Sequence, residues 1–164
     1  MKKTYITTPL YYVNDKPHIG HAYTTILADV LSRINKIQKH DVFFLTGTDE
    51  HGQKVQEAAE KRGVQPITHV EEYVKRFKSA WKNLDIEYND FIRTTEPRHT
   101  DRVKDILNFL YENGDIYEDE YEGLYSVSEE RFITQKEYEE GSYREVKKLK
   151  EKNYFFKMSK YQKK

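Results

Sequence analysis

The chain has 164 residues, no cysteine, and 28 basic against 28 acidic side chains, so its formal net charge is zero. This length suffices for one domain with a hydrophobic core, or for part of a larger protein. The absence of cysteine excludes disulfides and thiolate metal sites, and the balanced charge gives no overall sign of a nucleic-acid partner. No apolar run approaches the ~20 residues of a membrane-spanning helix. We therefore expect a cytoplasmic protein with no membrane partner.

The start of the chain predicts a strand, a helix and a second strand. Residues 5–8 predict a short strand that Pro9 ends, and residues 10–17 predict a loop rich in turn formers. Apolar residues then recur every three or four positions from His18 to about residue 39, which predicts a helix. Residues 42–45 are a continuous apolar run, typical of a strand buried on both faces of a parallel sheet. Together these elements predict a right-handed βαβ unit of an α/β fold.

Three more helices are predicted after the second strand. Proline near a helix start and glycine just past a helix end are the signals that bound them. The predicted helices are residues 53–61, closed by Gly63, residues 66–81, and residues 96–112, with Pro97 near the start and Gly114 past the end.

The pattern changes beyond residue 114. Residues 116–117 and 124–127 predict two short strands within an acidic stretch, and we interpret residues 115–152 as a smaller inserted subdomain. Residues 142–164 carry nine basic and two acidic side chains. The favoured interpretation of this basic end is a solvated, partly disordered terminus, with an acidic or nucleic-acid partner as the alternative.

Two histidines mark the start of the first predicted helix. His18 and His21 are three residues apart, so they lie on one face of the helix, one turn apart. Ligands of open α/β sheets bind beyond the carboxyl ends of the strands, and a helix N-terminus attracts phosphate. We expect both imidazoles to donate hydrogen bonds to an α-phosphate as charge builds there. Gly20 is expected to leave room for an adenine or ribose against the backbone.

Three other interpretations of this motif stay open. The two histidines could be an ordinary surface pair. They could share a zinc ion, although no third ligand is obvious beyond Asp49 or His51. They could also belong to a small nucleotidyltransferase, a class that carries the same histidine–glycine–histidine pattern after its first strand.

Several stretches of the chain resemble bacterial methionyl-tRNA synthetases, a family of class I aminoacyl-tRNA synthetases. HIGH at residues 18–21 marks any class I synthetase, whereas GTDEHG at residues 47–52 points to methionine once the other stretches are added. The matches run in the same order along essentially the whole chain. They are YITTPLYY at 5–12, HIGHAYTT at 18–25, FLTGTDEHGQK at 44–54, DFIRTTE at 90–96, GDIY at 114–117 and YEGLY at 121–125.

The resemblance implies a fold class and a domain plan. The fold would be α/β, an incomplete Rossmann-like nucleotide-binding fold of which only the first half is present, with a small inserted α+β connective subdomain. Residues 1–114 would be that first half and residues 115–152 the connective-peptide insertion. Residues 153–164 would begin the return to the catalytic domain, and the missing C-terminal half of the enzyme would follow.

The resemblance also implies an activity and its residues. Such an enzyme activates methionine with ATP, which carries Mg²⁺, to methionyl-adenylate and transfers the methionyl group to tRNA(Met). Asp49 would pair with the α-ammonium of methionine, although the sequence also allows it to be a helix N-cap. Tyr12 could likewise be plain loop packing. The implied sites are His18 and His21 for catalysis, these two with Gly20 for ATP, and Leu10, Tyr12 and Asp49 for methionine.

Two departures from the family pattern bear on these expectations. Many members have a zinc knuckle with cysteine pairs in the insertion, but the corresponding stretch here is SVSE at 126–129, so we expect no structural zinc and no other metal. The string KMSK at 157–160 resembles the family's second catalytic motif, which lies much later in those chains. We interpret it as a coincidence, because a motif counts only in its structural context. We expect the chain alone to be inactive, and a truncated, non-catalytic nucleotide-binding product is the alternative function.

Overall fold

The structure is a computed structural model that describes residues 2–129, 131–141, 143 and 145–162. The chain divides after Arg102 into two compact units. The predicted α/β class is confirmed, since the first unit is a parallel sheet with helices. No helix in the described part of the chain combines the length and the apolar character that crossing a membrane requires.

The first unit contains four strands and three complete helices. A fourth helix continues past the division at Arg102. The strands are β1 (Lys3–Thr7), β2 (Tyr11–Tyr12), β3 (Asp41–Asp49) and β4 (Asp90–Arg93), and the helices are α1 (Ile19–Ile37), α2 (Gln53–Lys61), α3 (Pro66–Asn83) and α4 (Pro97–Glu112). The four predicted helices are confirmed, with no end shifted by more than two residues. β2 lies in the stretch predicted as a loop, and β4 was not predicted.

β3 is the central strand of the sheet. Leu45 pairs with Thr7 of β1 on one side and with Asp90 of β4 on the other. Farther along β3, Thr48 pairs with Tyr11 of β2 and with Arg93 of β4. β1 and β2 therefore follow one another along the same edge of β3. Because every pairing is parallel, the carboxyl ends of β2, β3 and β4 meet at one edge of the sheet.

The burial of β3 differs from the prediction on one face. Phe44 is fully buried, but Phe43 is 46% exposed and contacts only the similarly exposed Tyr5 among the aromatic rings described. Within the described chain one face of the sheet is thus largely open at this point. Gly47 allows β4 to pair closely, since a Cβ there would lie 2.1 Å from the carbonyl oxygen of Ile92.

The hydrophobic core of the first unit lies under α3. This helix contributes buried residues at the three- and four-residue spacing of one helix face. They pack against buried side chains from β2, the turn after it, α2 and β4. The cluster consists of Val70, Tyr73, Val74, Phe77 and Trp81 of α3 together with Tyr11, Val13, Val55 and Phe91.

α1 has an unusual distribution of side chains. Its buried face is small and polar, consisting of Thr25, Ala28, Asp29 and Ser32. Asp29 is satisfied there by Arg33 Nε at 2.6 Å and by the amide of Glu87 at 2.9 Å. Of the six apolar residues whose spacing predicted the helix, Ala22 packs against the core, and the other five lie on the exposed side: Ile19, Ile26, Val30, Ile34 and Ile37.

The described residues of the second unit form the rest of α4, an antiparallel sheet and two short helical segments. β5 is the middle strand, with β6 on one side and β7 on the other. The two short strands predicted at 116–117 and 124–127 are wrong as separate elements, because the acidic residues between them continue the same strand. The elements are β5 (Ile116–Ser126), β6 (Arg131–Ile133), α5 (Gln135–Glu140), β7 (Val146–Phe156) and a 3-10 helix (Met158–Tyr161).

Charge pairing explains why the acidic stretch stays extended. Alternate side chains on one face of β5 are glutamates, and alternate side chains on the facing strand β7 are lysines. The favoured interpretation of the basic end as a disordered terminus is therefore wrong for β7, which is a regular strand. The ion pairs are Glu118–Lys152 at 2.8 Å, Glu120–Lys150 at 3.0 Å and Glu122–Lys148 at 3.2 Å. β7 also contains residues 153–156, which were predicted to begin the return from the insertion to the catalytic domain.

Candidate active site

The residues singled out from the sequence lie around the carboxyl edge of the first sheet. Tyr12 ends β2 and Asp49 ends β3, and the two are direct partners in the register of the parallel pair. Leu10 immediately precedes β2. Leu10 and Tyr12 are 37% and 51% exposed, so both side chains are accessible at this edge. The topology thus brings the three residues that the resemblance implies for methionine binding to the same edge of the sheet.

His18 and His21 form a reciprocal cap at the N-terminus of α1. His18 is the N-cap residue, and its Nδ1 accepts a hydrogen bond from the amide of Gly20 at 3.1 Å. The amide of His18 donates in turn to Nδ1 of His21 at 3.2 Å. The two rings stack with centroids 3.7 Å apart. Because both Nδ1 atoms accept from the backbone, the ring proton of each imidazole lies on Nε2.

The surroundings of His21 keep its ring uncharged near neutral pH. The ring is partly buried against Tyr11 and Phe77, with centroid distances of 4.9 and 5.3 Å. Burial lowers the pKa of His21, and the neighbouring His18 lowers it further. Thr25 Oγ1 donates to the carbonyl oxygen of His21 at 2.9 Å and also hydrogen-bonds the Tyr11 hydroxyl at 2.8 Å. The site therefore offers an uncharged Nε2–H donor on a fixed ring.

Gly20 has a local reason to be glycine. A Cβ at this position would lie 3.0 Å from Cε1 and 3.1 Å from Nδ1 of His18, which is closer than ordinary contacts. A side chain there would push the His18 ring from its capping position. The glycine between the two histidines is thus part of the geometry that orients them.

Asp49 is not a helix cap, so that alternative is wrong. The N-cap of α2 is Gly52, which has a φ of 108° and makes no side-chain capping bond. The Asp49 carboxylate accepts only a long contact, 3.5 Å, from the amide of His51 among the hydrogen bonds described. It is a half-buried anion at the carboxyl edge of the sheet.

A buried ion pair next to Asp49 was missed by the sequence analysis. The Glu50 side chain is fully buried and binds Arg93 Nε at 2.8 Å and Nη2 at 3.1 Å. The hydroxyls of Thr48 and Thr95 donate to the same carboxylate, at 2.6 and 2.5 Å. Hydrogen bonding to Glu50 raises the pKa of Arg93. The pair joins the ends of β3 and β4 and fixes the backbone on which Asp49 is carried.

The residues considered for a zinc site do not come together as a ligand set. Within residues 2–129, 131–141, 143 and 145–162, no group of three or more histidines and carboxylates could hold a metal ion. The Nδ1 atoms of His18 and His21 are also occupied by backbone amides.

The KMSK string lies in the second unit and binds the turn between α4 and β5. Lys157 donates from Nζ to the carbonyl oxygen of Gly114 and from its amide to that of Asp115, both at 2.8 Å. The ammonium of Lys160 and the hydroxyl of Tyr161 both bind the buried Asp115 carboxylate. These two contacts, led by that with Lys160, hold the pKa of Asp115 below its usual value. Both lysines of the string thus have structural partners.

The comparisons with known proteins agree with this architecture. A family model described as tRNA synthetases class I (M) matches residues 4–143. The methionine–tRNA ligase of Listeria monocytogenes serovar 1/2a is 48% identical over 96% of this chain, and that of Clostridium tetani is 50% identical over 98%. The structure of Mycobacterium tuberculosis methionyl-tRNA synthetase in complex with methionyl-adenylate aligns with 98% of the chain at a TM-score of 0.86 and 38% identity.

These matches define the family of the chain. Its fold is that of a class I synthetase. The chain belongs to the class I tRNA synthetase family of the methionine type. It spans 26% of the length of the two curated relatives and 33% of the mycobacterial chain.

Proposed function

We propose that this chain forms the first half of the active site of a methionine–tRNA ligase. The observation that carries the proposal is the pair of stacked imidazoles at the N-terminus of α1, each with its proton on Nε2. The mycobacterial relative is in complex with methionyl-adenylate, and this compound is the product of the step that such donors would assist.

The proposed reaction is an in-line displacement at the α-phosphate of ATP. A carboxylate oxygen of methionine forms a bond to the α-phosphorus while the bond to the bridging oxygen breaks and pyrophosphate leaves. His18 and His21 donate hydrogen bonds from Nε2 to the α-phosphate oxygens, where charge develops in the transition state. The N-terminus of α1 adds the positive end of the helix dipole. Donation needs no proton transfer, which suits the uncharged ring of His21.

The methionine subsite is proposed for the strand ends beside the imidazoles. Asp49 accepts hydrogen bonds from the substrate ammonium, because a partly exposed carboxylate is its natural partner. Leu10 and Tyr12 contact the side chain, and an aromatic face suits a polarisable thioether. Gly20 leaves space for the His18 ring in its capping position, from which this ring is proposed to face the nucleotide. Mg²⁺ would accompany ATP, held by its phosphates.

The complete enzyme is proposed to transfer the methionyl group to tRNA(Met) in the cytoplasm. The part of the curated relatives that this chain does not span is the proposed partner of the exposed apolar side of α1 and of the open sheet face at Phe43. Exposed apolar surface of this extent marks an interface. The chain alone is therefore proposed to lack activity, because only one of two phosphate-binding halves is present and positioning supplies much of such a rate.

Methionine-dependent exchange of pyrophosphate into ATP tests the proposal. In the complete protein, His18→Ala and His21→Ala should each lower the exchange rate ~10²–10³-fold, the size of one lost transition-state donor, with little change in the KM for methionine. His40→Ala is the matched control, because His40 hydrogen-bonds Thr4 and Asn35 away from the site. Parental exchange rates in both site variants would overturn the catalytic role of His18 and His21. Robust exchange by the chain alone would overturn the proposal that it is inactive.

A further inference from the structure

A third histidine, His69, makes a set of contacts that the proposed reaction does not use. It lies on α3 and is 1% exposed. Its Nε2 is 2.8 Å from the carbonyl oxygen of Val13, and its Nδ1 is 3.0 Å from Nη1 of Arg62. Its ring stacks on Tyr73 with centroids 4.2 Å apart. Both nitrogens of this buried ring are therefore engaged.

The two contacts fix the proton of the His69 ring. A guanidinium has donors and no acceptor, so Nδ1 must accept from Arg62. The ring proton then lies on Nε2 and is donated to the carbonyl oxygen of Val13. The Val13 carbonyl oxygen can only accept, so both partners select the same tautomer, in which His69 donates to Val13.

Arg62 is itself held in place. It is the C-cap residue of α2, its guanidinium binds Glu72, and it lies over the Tyr73 ring at 5.2 Å. Glu72 also binds Arg76, and these two arginines, Arg62 first, hold the pKa of Glu72 below its usual value. The donor to His69 therefore comes from a network that joins the end of α2 to one face of α3.

The carbonyl that His69 holds lies between the two halves of the candidate site. Val13 is fully buried and directly follows β2, so Tyr12 precedes it. After Val13 the chain turns through Asn14 and Asp15 and reaches His18 five residues later. A shift of this carbonyl would move the segment that leads into the cap of α1.

We propose that His69 is a positioning residue that holds the turn between Tyr12 and His18 in its productive place. This inference rests on the proposed function for its catalytic consequence. Packing alone does not require the arrangement, because an apolar side chain would fill the same space. The buried carbonyl of Val13 would then lose its donor, and an unsatisfied buried acceptor favours a changed backbone.

The first test uses this chain and does not depend on activity. Nitrogen-15 spectra of the histidine rings should show the proton of His69 on Nε2, with a scalar coupling across the hydrogen bond to the carbonyl carbon of Val13. Arg62→Met should leave the proton on Nε2, because the Val13 carbonyl oxygen can only accept, whereas His69→Leu should change the amide shifts of residues 14–18. His40→Leu is the control and should leave those shifts in place. A parental proton on Nδ1, or unchanged shifts in His69→Leu, overturns the inference.

The second test is a double-mutant cycle in the complete protein. His69→Leu should lower the rate of pyrophosphate exchange about 10- to 100-fold, as a small misplacement of a catalytic group does. His69→Gln keeps an amide donor and should recover most of the rate. In a His18→Ala background, His69→Leu should cost far less, because its effect passes through His18. Equal losses in both backgrounds mean a merely structural role and overturn the inference. If the parent protein shows no exchange, the proposed function is overturned. The nitrogen-15 spectra would still test the contact between His69 and Val13, because they do not depend on activity.

Discussion

Removal of Arg93 should strongly destabilise the first unit, because it leaves the Glu50 carboxylate buried without its charge partner. The Glu50 side chain has no exposed surface, and the Arg93 side chain is 20% exposed. Breaking a buried ion pair from one side costs about 3–5 kcal/mol. The hydroxyls of Thr48 and Thr95 would still donate to the carboxylate. We therefore expect the lower end of that range, about 3 kcal/mol, for Arg93→Met.

Urea unfolding of this chain measures the effect. With a slope of about 2 kcal/mol per M, the midpoint should fall by roughly 1.5 M. The double variant Glu50→Gln with Arg93→Met should recover part of the loss, since no unpaired charge remains. Arg98→Met is the control, because Arg98 binds Asp90 and Glu96 at the surface, where ion pairs contribute little. Equal midpoint shifts for Arg93→Met and Arg98→Met would refute this reasoning.

Three further predictions concern Asp49, His21 and Lys157. Asp49→Ala in the complete protein should weaken methionine binding by calorimetry while ATP binding persists, since the substrate ammonium loses its counter-charge; equal methionine affinity would contradict this. Burial, and then His18, lowers the pKa of His21 in the folded protein. The contribution of the uncharged His21 ring to folding stability is therefore complete above about pH 6.5, and it is lost as the pH falls through the pKa of the folded protein. Urea midpoints measured from pH 8 to 5 should therefore fall more steeply in the parent than in His21→Asn, and parallel curves would argue against it. Lys157→Ala should leave pyrophosphate exchange near the parental rate, because Lys157 binds the carbonyl oxygen of Gly114; a loss comparable with that of His18→Ala would restore a catalytic role.

The helices could be predicted from the sequence because their signals are local. Gly63 and Gly114 have φ values of +66° and +67°, the left-handed conformation that ends α2 and α4 and that favours glycine. Pro66 and Pro97 begin α3 and α4, where a missing amide is tolerated. Each of these signals acts within a few residues of the helix end that it specifies.

The strands were harder to predict because their stability comes from distant partners. β4 is only four residues long and is defined by pairing with β3, more than forty positions earlier. β7 alternates lysines with partly buried residues, and its regular structure depends on the glutamates of β5. A basic stretch without such a partner is ordinarily solvated, which explains the wrong prediction for this end of the chain.

The same distinction applies to the candidate site. His18 and His21 could be predicted as neighbours because three residues make one turn of a helix. The pairing of Glu50 with Arg93 and of His69 with Val13 joins residues 43 and 56 positions apart, so no local pattern reveals it. Glu50 directly follows β3 and Arg93 ends β4, but β4 itself was not predicted, so the sequence did not place the two side chains together.

The KMSK string shows why placement decides what a motif does. A lysine that neutralises a transferring phosphate must have its ammonium available to the nucleotide. Here Lys160 binds the buried carboxylate of Asp115, which the Tyr161 hydroxyl also binds, and Lys157 binds the carbonyl oxygen of Gly114. Releasing Lys160 would leave a buried carboxylate with one donor fewer, which opposes its recruitment elsewhere. The string therefore secures the turn between α4 and β5, whereas the imidazoles of His18 and His21 present their Nε2–H donors at the end of a parallel sheet.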